Sequence, residues 1–388
     1  MSSKKKVLLQ SILADYPVLN KVIISVTNDL STDQRVDKVC HTLTGMGFSV
    51  TLVGRLLPES PALDRPYSTH RMYLFFRKGP LFYAEYNLRL FLFLLLNRCN
   101  LLVANDLDTL LSNFIISKIK RIPLVYDSHE YYTETPELVN RPLIQGIWQR
   151  IERSIFPALT DVVTVNESIA GLYEEKYGIK LNVVRNIPRT FVPAVIKSRK
   201  ELGLPVDRKI VLMQGAGINI QRGAEEAIEA MKSVDNAMLL IIGGGDVIGQ
   251  LKKQAGTPEL TGKVMFLPKM PYAELMQHTR LADLGLTLDK DTNINYRYSL
   301  PNKLFDYIHA GIPVLASKLP EICRIVEGYN IGRISGSHDP AEIASLINGM
   351  LNDEAARTAW KENLAKAAQE LTWENEETVL KRIYQKYV

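Results

Sequence analysis

The chain has 388 residues, 46% hydrophobic and 23% charged, enough for two or three domains with full cores. Its net charge of +5 favours anionic substrates or an anionic membrane surface and is too small to argue for nucleic acid. Cys40, Cys99 and Cys323 have neither metal nor disulfide spacing, which points to a reducing cytosol, and the most apolar stretch, 88–96, is interrupted by Arg89 and falls well short of the ~20 residues that span a bilayer.

The opening Met-Ser-Ser-Lys-Lys-Lys run is basic but has no long apolar core, so it is not read as a signal peptide. Residues 21–27 are a short apolar strand. Ser31 and Gln34 have capping-box spacing. Val36, Val39, Cys40 and Leu43 then follow at helical intervals until Gly45 and Gly47 end the helix. Cys40 and Cys323 are both expected in the core. Asn28 and Asp29 stand where the first strand ends, with Asp33 and Arg35 close behind. These side chains could meet an acceptor or phosphates, and capping explains the acids almost as well. Residues 49–54 are the next strand. Residues 71–98 mix aromatics, leucines and five basic residues. Core packing is expected for most of them, and a basic amphipathic surface lying on anionic lipid is the alternative. Runs at 101–104, 123–126 and 162–165 complete a set of short apolar strands suited to a parallel sheet. Polar clusters, Asn105-Asp106 and Asp127-Ser-His129-Glu130, follow two of them, where functional groups gather in this architecture. A structural histidine bonded by Asp127 is the plainer reading of His129. The turn 184–186 is read as structural.

Proline and charge break the rhythm between 180 and 205, placing a domain boundary near 192–200. Strands at 209–215, 238–243, 264–267, 284–288, 313–317 and 331–334 form a second block. Gln214-Gly215-Ala216-Gly217 follows its first strand and Arg222-Gly223 comes soon after. Here glycine permits close backbone approach and Arg222 can present a planar cation to a diphosphate. Gly243, Gly244 and Gly245 form a loop open to a base or to phosphates. In 298–317, Pro301 pre-sets a helix entry, while Gly311 and Pro313 end the helix. Its N-terminus would attract phosphate. Lys303 adds a cation, and Asp306 an acceptor suited to vicinal hydroxyls. Phosphate plus diol means a nucleotide or a nucleotide sugar. No metal is expected, since no His/Cys cluster exists and no Asp-x-Asp metal motif is read at a strand end.

This last stretch resembles the donor-binding segment of retaining glycosyltransferases of family 4. These have the GT-B fold, two doubly wound Rossmann-like domains facing a central cleft. The resemblance runs from about Val22 to the end. In that family one acidic residue lies in the helix closed by Ala/Gly-x-Pro-Val and another lies eight positions earlier. Asp306 falls on the first and would hold the ribose. Tyr298, which is not acidic, falls on the second, where the donor sugar is gripped. Arg222 matches a basic residue that meets the diphosphate, whereas Ala216 stands where relatives carry another. The resemblance implies a donor site of Gly215, Gly217, Arg222, Gly243, Tyr298, Ser299, Leu300, Asn302, Lys303 and Asp306. It rests catalysis on Arg222, Lys303 and a positioning His129, and leaves Asn28, Asp29, Arg35 and Glu130 to acceptor or phosphate.

The resemblance further implies an acceptor domain at 1–195, a donor domain at 196–370, and a helix at 371–388 crossing back onto the first. The expected activity is metal-independent transfer, with retention, from a nucleotide-diphosphate sugar such as a UDP-sugar to a sugar or lipid-linked hydroxyl. It needs no cofactor and fits polysaccharide or glycolipid synthesis in the cytoplasm or at the inner face of a membrane. Relatives that use lipid-linked acceptors touch membranes peripherally. The rival expectations are a sugar-nucleotide epimerase of the same architecture and a non-catalytic sugar-nucleotide-binding subunit.

Overall fold

The computed structural model describes residues 20–189 and 196–388. The basic opening run and the start of the expected linker, 190–195, lie outside the described residues. The first domain runs β1 (Lys21–Asp29), α1 (Gln34–Gly45), β2 (Ser49–Leu56), β3 (Ser68–Tyr73), α2 (Gly79–Leu96), β4 (Leu101–Asn105), α3 (Leu107–Lys120) and β5 (Leu124–Ser128). It continues with α4 (Pro136–Val139), α5 (Pro142–Ile155), β6 (Asp161–Thr164), α6 (Glu167–Tyr177) and β7 (Asn182–Val183). Its sheet has the order β3-β2-β1-β4-β5-β6-β7, and every pairing is parallel.

The second domain runs β8 (Lys209–Gly215), α7 (Ala224–Ala230), β9 (Ala237–Gly243), α8 (Ile248–Ala255), β10 (Val264–Leu267), α9 (Tyr272–Thr279), β11 (Leu284–Thr287) and α10 (Ile294–Arg297). Then come α11 (Asn302–Ala310), β12 (Val314–Ser317), α12 (Pro320–Val326), β13 (Gly332–Ser335), α13 (Pro340–Asn352), α14 (Glu354–Glu370) and α15 (Trp373–Tyr384). This sheet is also parallel, in the order β10-β9-β8-β11-β12-β13. Strand order reverses between β1 and β4 and between β8 and β11. Ligands of such sheets bind outside the strand carboxyl ends at these reversals.

Alternation along the strands builds a core on each face. Val22, Ile24 and Val26 join α1 and α15 on one side of β1, while Ile23 joins α2, α3 and α5 on the other. Two strands escape sequence reading. β3 is an edge strand with mostly exposed side chains and no apolar run, and β7 is a two-residue edge. The mixed segment 71–98 resolves into the end of β3, a loop and the long helix α2. Asp33, not Ser31, caps α1, accepting from the Val36 N–H at 3.1 Å. Ser31 instead turns back, its N–H and O–H both donating to Asp29. Cys40 is fully buried, but Cys323 is only partly so, because Ile322, Ile325 and Val326 take the inward face of α12.

The final helix packs on the first domain. Trp373, Leu380 and Tyr384 lie among Val36, Val39 and Leu43. The Trp373 N–H donates to Pro188 O at 3.1 Å, Glu376 pairs with Arg185, and Glu377 accepts from Thr42. Trp373 is 1% exposed. Trp373→Ala should therefore cost about 3–5 kcal/mol. The check is the urea midpoint followed by circular dichroism, and an unchanged midpoint would mean that α15 adds nothing to the first domain's core.

Candidate functional site

A cleft of about 810 Å³ lies between the carboxyl ends of the two sheets and takes its lining from both domains. Its second-domain wall is organised by one carboxylate. Asp289 follows β11 and is 0% exposed. Its oxygens lie 3.1 Å from Arg222 Nη1 and 3.7 Å from Lys303 Nζ. Gly223 brings Arg222 there, since its φ is +75° and a Cβ would stand 2.3 Å from Leu288 O. The Arg222 guanidinium also lies over the Tyr296 ring, 4.1 Å from its centre, and its Nε is buried without a partner among the described residues. Burial pulls the Lys303 pKa down, against the opposing pull of Asp289. Lys303 stands on the first turn of α11, which no side chain caps. Around Asp289, two cations and open helical N–H groups stand against one carboxylate, which leaves this corner of the wall positive.

α11 is seated by Tyr307, whose ring lies 2.5 Å from where a Gly285 Cβ would be. Tyr307 OH donates to Leu286 O at 3.1 Å. The residue before it, Asp306, accepts from Tyr272 OH at 2.9 Å and from Gln214 Nε2 at 3.0 Å. Gln214 in turn accepts from Thr279. Burial raises the Asp306 pKa to about 6 against these hydrogen bonds. Gly215 and Gly243 lie on the cleft wall. A Gly243 side chain would strike Gly215 O at 1.8 Å.

The first-domain wall centres on His129. Its N–H donates to Asp106 Oδ1 at 2.8 Å. Nδ1 lies 3.3 Å from Asp106 Oδ2, and Nε2 lies 3.6 Å from Asp127 Oδ2. Burial alone would lower the His129 pKa, but the two carboxylates outweigh it and raise the value to about 9. Asp127 is buried too, yet Arg35 and His129 hold its carboxyl well below the usual range. Glu130 is pushed up to about 7 by burial and by Asp106.

Side-chain bridges join the walls. Asn295 of α10 accepts from the Tyr131 N–H at 3.1 Å and donates to Glu130 at 3.0 Å. Asn166 donates to Tyr298 O at 2.8 Å, and Ser168 N–H donates to Glu321 at 3.1 Å.

Of the expected donor residues, Gly215, Arg222, Gly243, Ser299, Leu300, Asn302, Lys303 and Asp306 line the cleft. Tyr298 does not, because its side chain packs against the first domain's core. Gly217 also stands off the wall, its backbone turned toward Asn219. Asn28, His129 and Glu130 line the opposite side. Asp29 does not, since Ser31 and Ser60 occupy its carboxylate. Arg35 borders the cleft, but its guanidinium is committed to Asp127 at 2.7 Å and to Val184 O.

The expectation about Asp-x-Asp needs correcting, because two such runs follow strand ends. Asp106 and Asp108 do not act together: the first holds His129, and the second accepts from Thr27 at 2.6 Å. Asp289 serves the two cations, while Asp291 pairs outward with Arg297. Sequence reasoning missed Asp289, although a polar cluster after an apolar strand was the available signal. It also missed Lys38, which lies inside α1, lines the cleft and donates to Asn186 at 2.9 Å, and nothing local marks it.

Two family models match the chain in succession, Glycosyltransferase Family 4 over residues 33–191 and Glycosyl transferases group 1 over 195–367. The chain carries both domains of a family 4 glycosyltransferase. Phosphatidyl-myo-inositol mannosyltransferase of Mycobacterium leprae is 26% identical over 47% of this chain and 48% of that protein. The chain spans about half the length of the curated relatives it matches. Among solved structures, sucrose-phosphate synthase from Thermosynechococcus elongatus superposes with a TM-score of 0.76 at 17% identity, covering 95% of this chain and 98% of that one. Anabaena HepE in complex with UDP and glucose gives 0.70 at 16%, covering 95% and 99%. Both share the GT-B fold seen here.

The His129 ion cluster gives this glycosyltransferase fold a pH signature. A histidine pKa raised to about 9 from 6.5 adds stability that is complete below pH 6.5 and lost as pH rises through about 9. Asp106→Asn should move the imidazole titration, read by NMR, back toward 6.5 and flatten the fall in Tm across that window. A native His129 that already titrates near 6.5 would dissolve the ion cluster as described.

Proposed function

We propose that this protein moves a hexosyl group from a nucleotide-diphosphate sugar, a UDP-sugar first among candidates, to a hydroxyl of a sugar or lipid-linked acceptor. Transfer proceeds with retention and without a divalent metal, and serves surface-polysaccharide or glycolipid synthesis. The observation that carries this reading is the pair Arg222 and Lys303, anchored by buried Asp289 at the open end of α11. The names of two similar proteins support the substrate class, one a phosphatidyl-inositol mannosyltransferase and the other bound to UDP and glucose.

In this reading the diphosphate lies against Arg222, Lys303 and the first N–H groups of α11. The bond from the sugar's anomeric carbon to the diphosphate breaks with its electron pair on phosphate, while the acceptor hydroxyl oxygen bonds that carbon on the same face and gives its proton to the leaving phosphate oxygen. Cations fixed in a water-poor cleft stabilise that developing charge without reorganising. His129, kept protonated by its two carboxylates, is a poor base, and with both ring nitrogens facing those carboxylates it acts as a fixed positive charge on the first-domain wall. Asp306 retains free lone pairs and accepts from the ribose hydroxyls, with Tyr272 and Gln214 fixing its plane.

Arg222→Ala and Lys303→Ala should each weaken UDP binding by about 1.5–3 kcal/mol in calorimetry. Unchanged affinity in both would remove the diphosphate from this wall. Sugar transfer by the native protein should continue in excess EDTA. Loss with chelator and recovery with manganese would instead give the paired aspartates after β4 or β11 a metal role. Isomerised UDP-sugar formed without acceptor would point to epimerase chemistry.

A further inference from the structure

Three carboxylates line the cleft among the described residues, Asp33, Glu130 and Asp306. Two of them have both oxygens engaged. Asp33 accepts from the Val36 N–H at 3.1 Å with one oxygen and from Asn28 Nδ2 at 3.0 Å with the other. Asp306 accepts from Tyr272 with one and from Gln214 with the other. Glu130 differs. Its Oε2 accepts from Asn295 Nδ2 at 3.0 Å, and its Oε1 takes no hydrogen bond among the described residues. Burial pushes its pKa up to about 7. The carboxylate has been drawn out of water without a full set of donors.

Contacts across the cleft give its place relative to a donor. Lys303 stands one turn before Asp306 on α11, and its Nζ lies 3.7 Å from Asp289. Asp289 meets Arg222 at 3.1 Å, and Arg222 lies over the Tyr296 ring at 4.1 Å. The neighbour of Tyr296 on α10 is Asn295, the residue that donates to Glu130. Asp306, the two cations and Glu130 therefore follow one another in that order. A ribose at Asp306 and a diphosphate at the cations leave the transferred sugar at Glu130. Chemistry agrees with the placement. A free carboxylate repels phosphate and accepts from neutral hydroxyls, which a hexosyl group carries around its ring. Asn295 also holds the carboxylate still, since its own amide oxygen accepts from the Tyr131 N–H at 3.1 Å. Tyr298, expected to grip the sugar, is packed into the first domain and leaves that task open.

We propose that Glu130 selects the transferred sugar, its free oxygen accepting a hydrogen bond from one hydroxyl of the hexosyl group. The inference rests on the donor reading of the cleft. A hydroxyl of the opposite configuration points away and leaves the buried acceptor unfilled, so epimers are told apart by that cost. The contact comes from the first domain, while ribose and diphosphate are held by the second. Choosing among sugars thus takes both walls. A nucleoside diphosphate, which carries no sugar, takes only one.

The test is calorimetry on the full chain without acceptor. The probes are UDP, GDP and the tightest-binding donor among UDP-glucose, UDP-galactose, UDP-N-acetylglucosamine and GDP-mannose. Glu130→Gln keeps an acceptor for Asn295 and removes the charge. It should weaken that donor at least about tenfold and leave the matching nucleoside diphosphate at native affinity. Monodeoxy analogues of the same donor locate the hydroxyl. One of them should bind the native protein about tenfold more weakly than the parent donor, and the variant no more weakly. Equal losses in native and variant for every analogue would overturn the proposal, because Glu130 would then touch none of these hydroxyls. So would a variant that binds the donor as the native protein does, which would leave Glu130 a bridge to Asn295 or a contact to the acceptor. Loss of nucleoside diphosphate affinity in the variant would also overturn it, placing the carboxylate in the diphosphate corner or in the fold. A native protein that binds neither UDP nor GDP would sink the donor reading and this inference with it. Native UDP or GDP binding with an unaltered sugar preference in the variant would sink this inference alone.

Discussion

Asp289 is a wholly buried carboxylate between two cations, and the cleft's chemistry depends on it. Burying a charge is costly unless it is paired, and Asp289 is paired with Arg222 and Lys303. The same pairing fixes both cations before any ligand arrives. Three separate segments are thereby drawn to one point: the turn after β8, the end of β11 and the first turn of α11. Small residues make the approach possible. Gly223 and Gly285 stand where any side chain would strike Leu288 or Tyr307.

The first domain answers with the same device in mirror sign. His129 is a cation held between Asp106 and Asp127, and Arg35 pairs with Asp127 from behind. Each wall thus carries a positive group whose position is set by buried carboxylates. The bridges through Asn295, Asn166 and Glu321 bring the walls together with hydrogen bonds, and the Tyr298 side chain packs on the first domain's core beside them. Hydrogen bonds of that kind are individually weak.

The two faces of the first sheet have different fates. One is sealed by α1 and α15 into a closed core. The other is covered by α2, α3 and α5, whose outer stripes remain apolar. No helix among the described residues is long and apolar enough to cross a membrane.

Local sequence determined the strands, the parallel plan and the helix that carries Lys303 and Asp306. Short apolar runs report burial on both faces of a sheet, and Pro301, Gly311 and Pro313 bound a helix through their own backbone limits, so neither needs a distant partner. The two edge strands were invisible because an edge buries little and leaves no apolar pattern. The site was legible only in part. Arg222, Lys303, Asp306 and His129 stand at strand ends or a helix start, where position alone implies exposure to a ligand. Tyr298, expected to grip the donor sugar, turns into the first domain, and Asp29 is claimed by nearby serines. Asp289 acquires its role from Arg222, 67 positions away, and Lys38 from Asn186, 148 positions away. Such pairings are chosen by the packing of whole elements, which a local pattern does not encode. The tertiary structure alone decided which charges share the cleft and which are used to hold it.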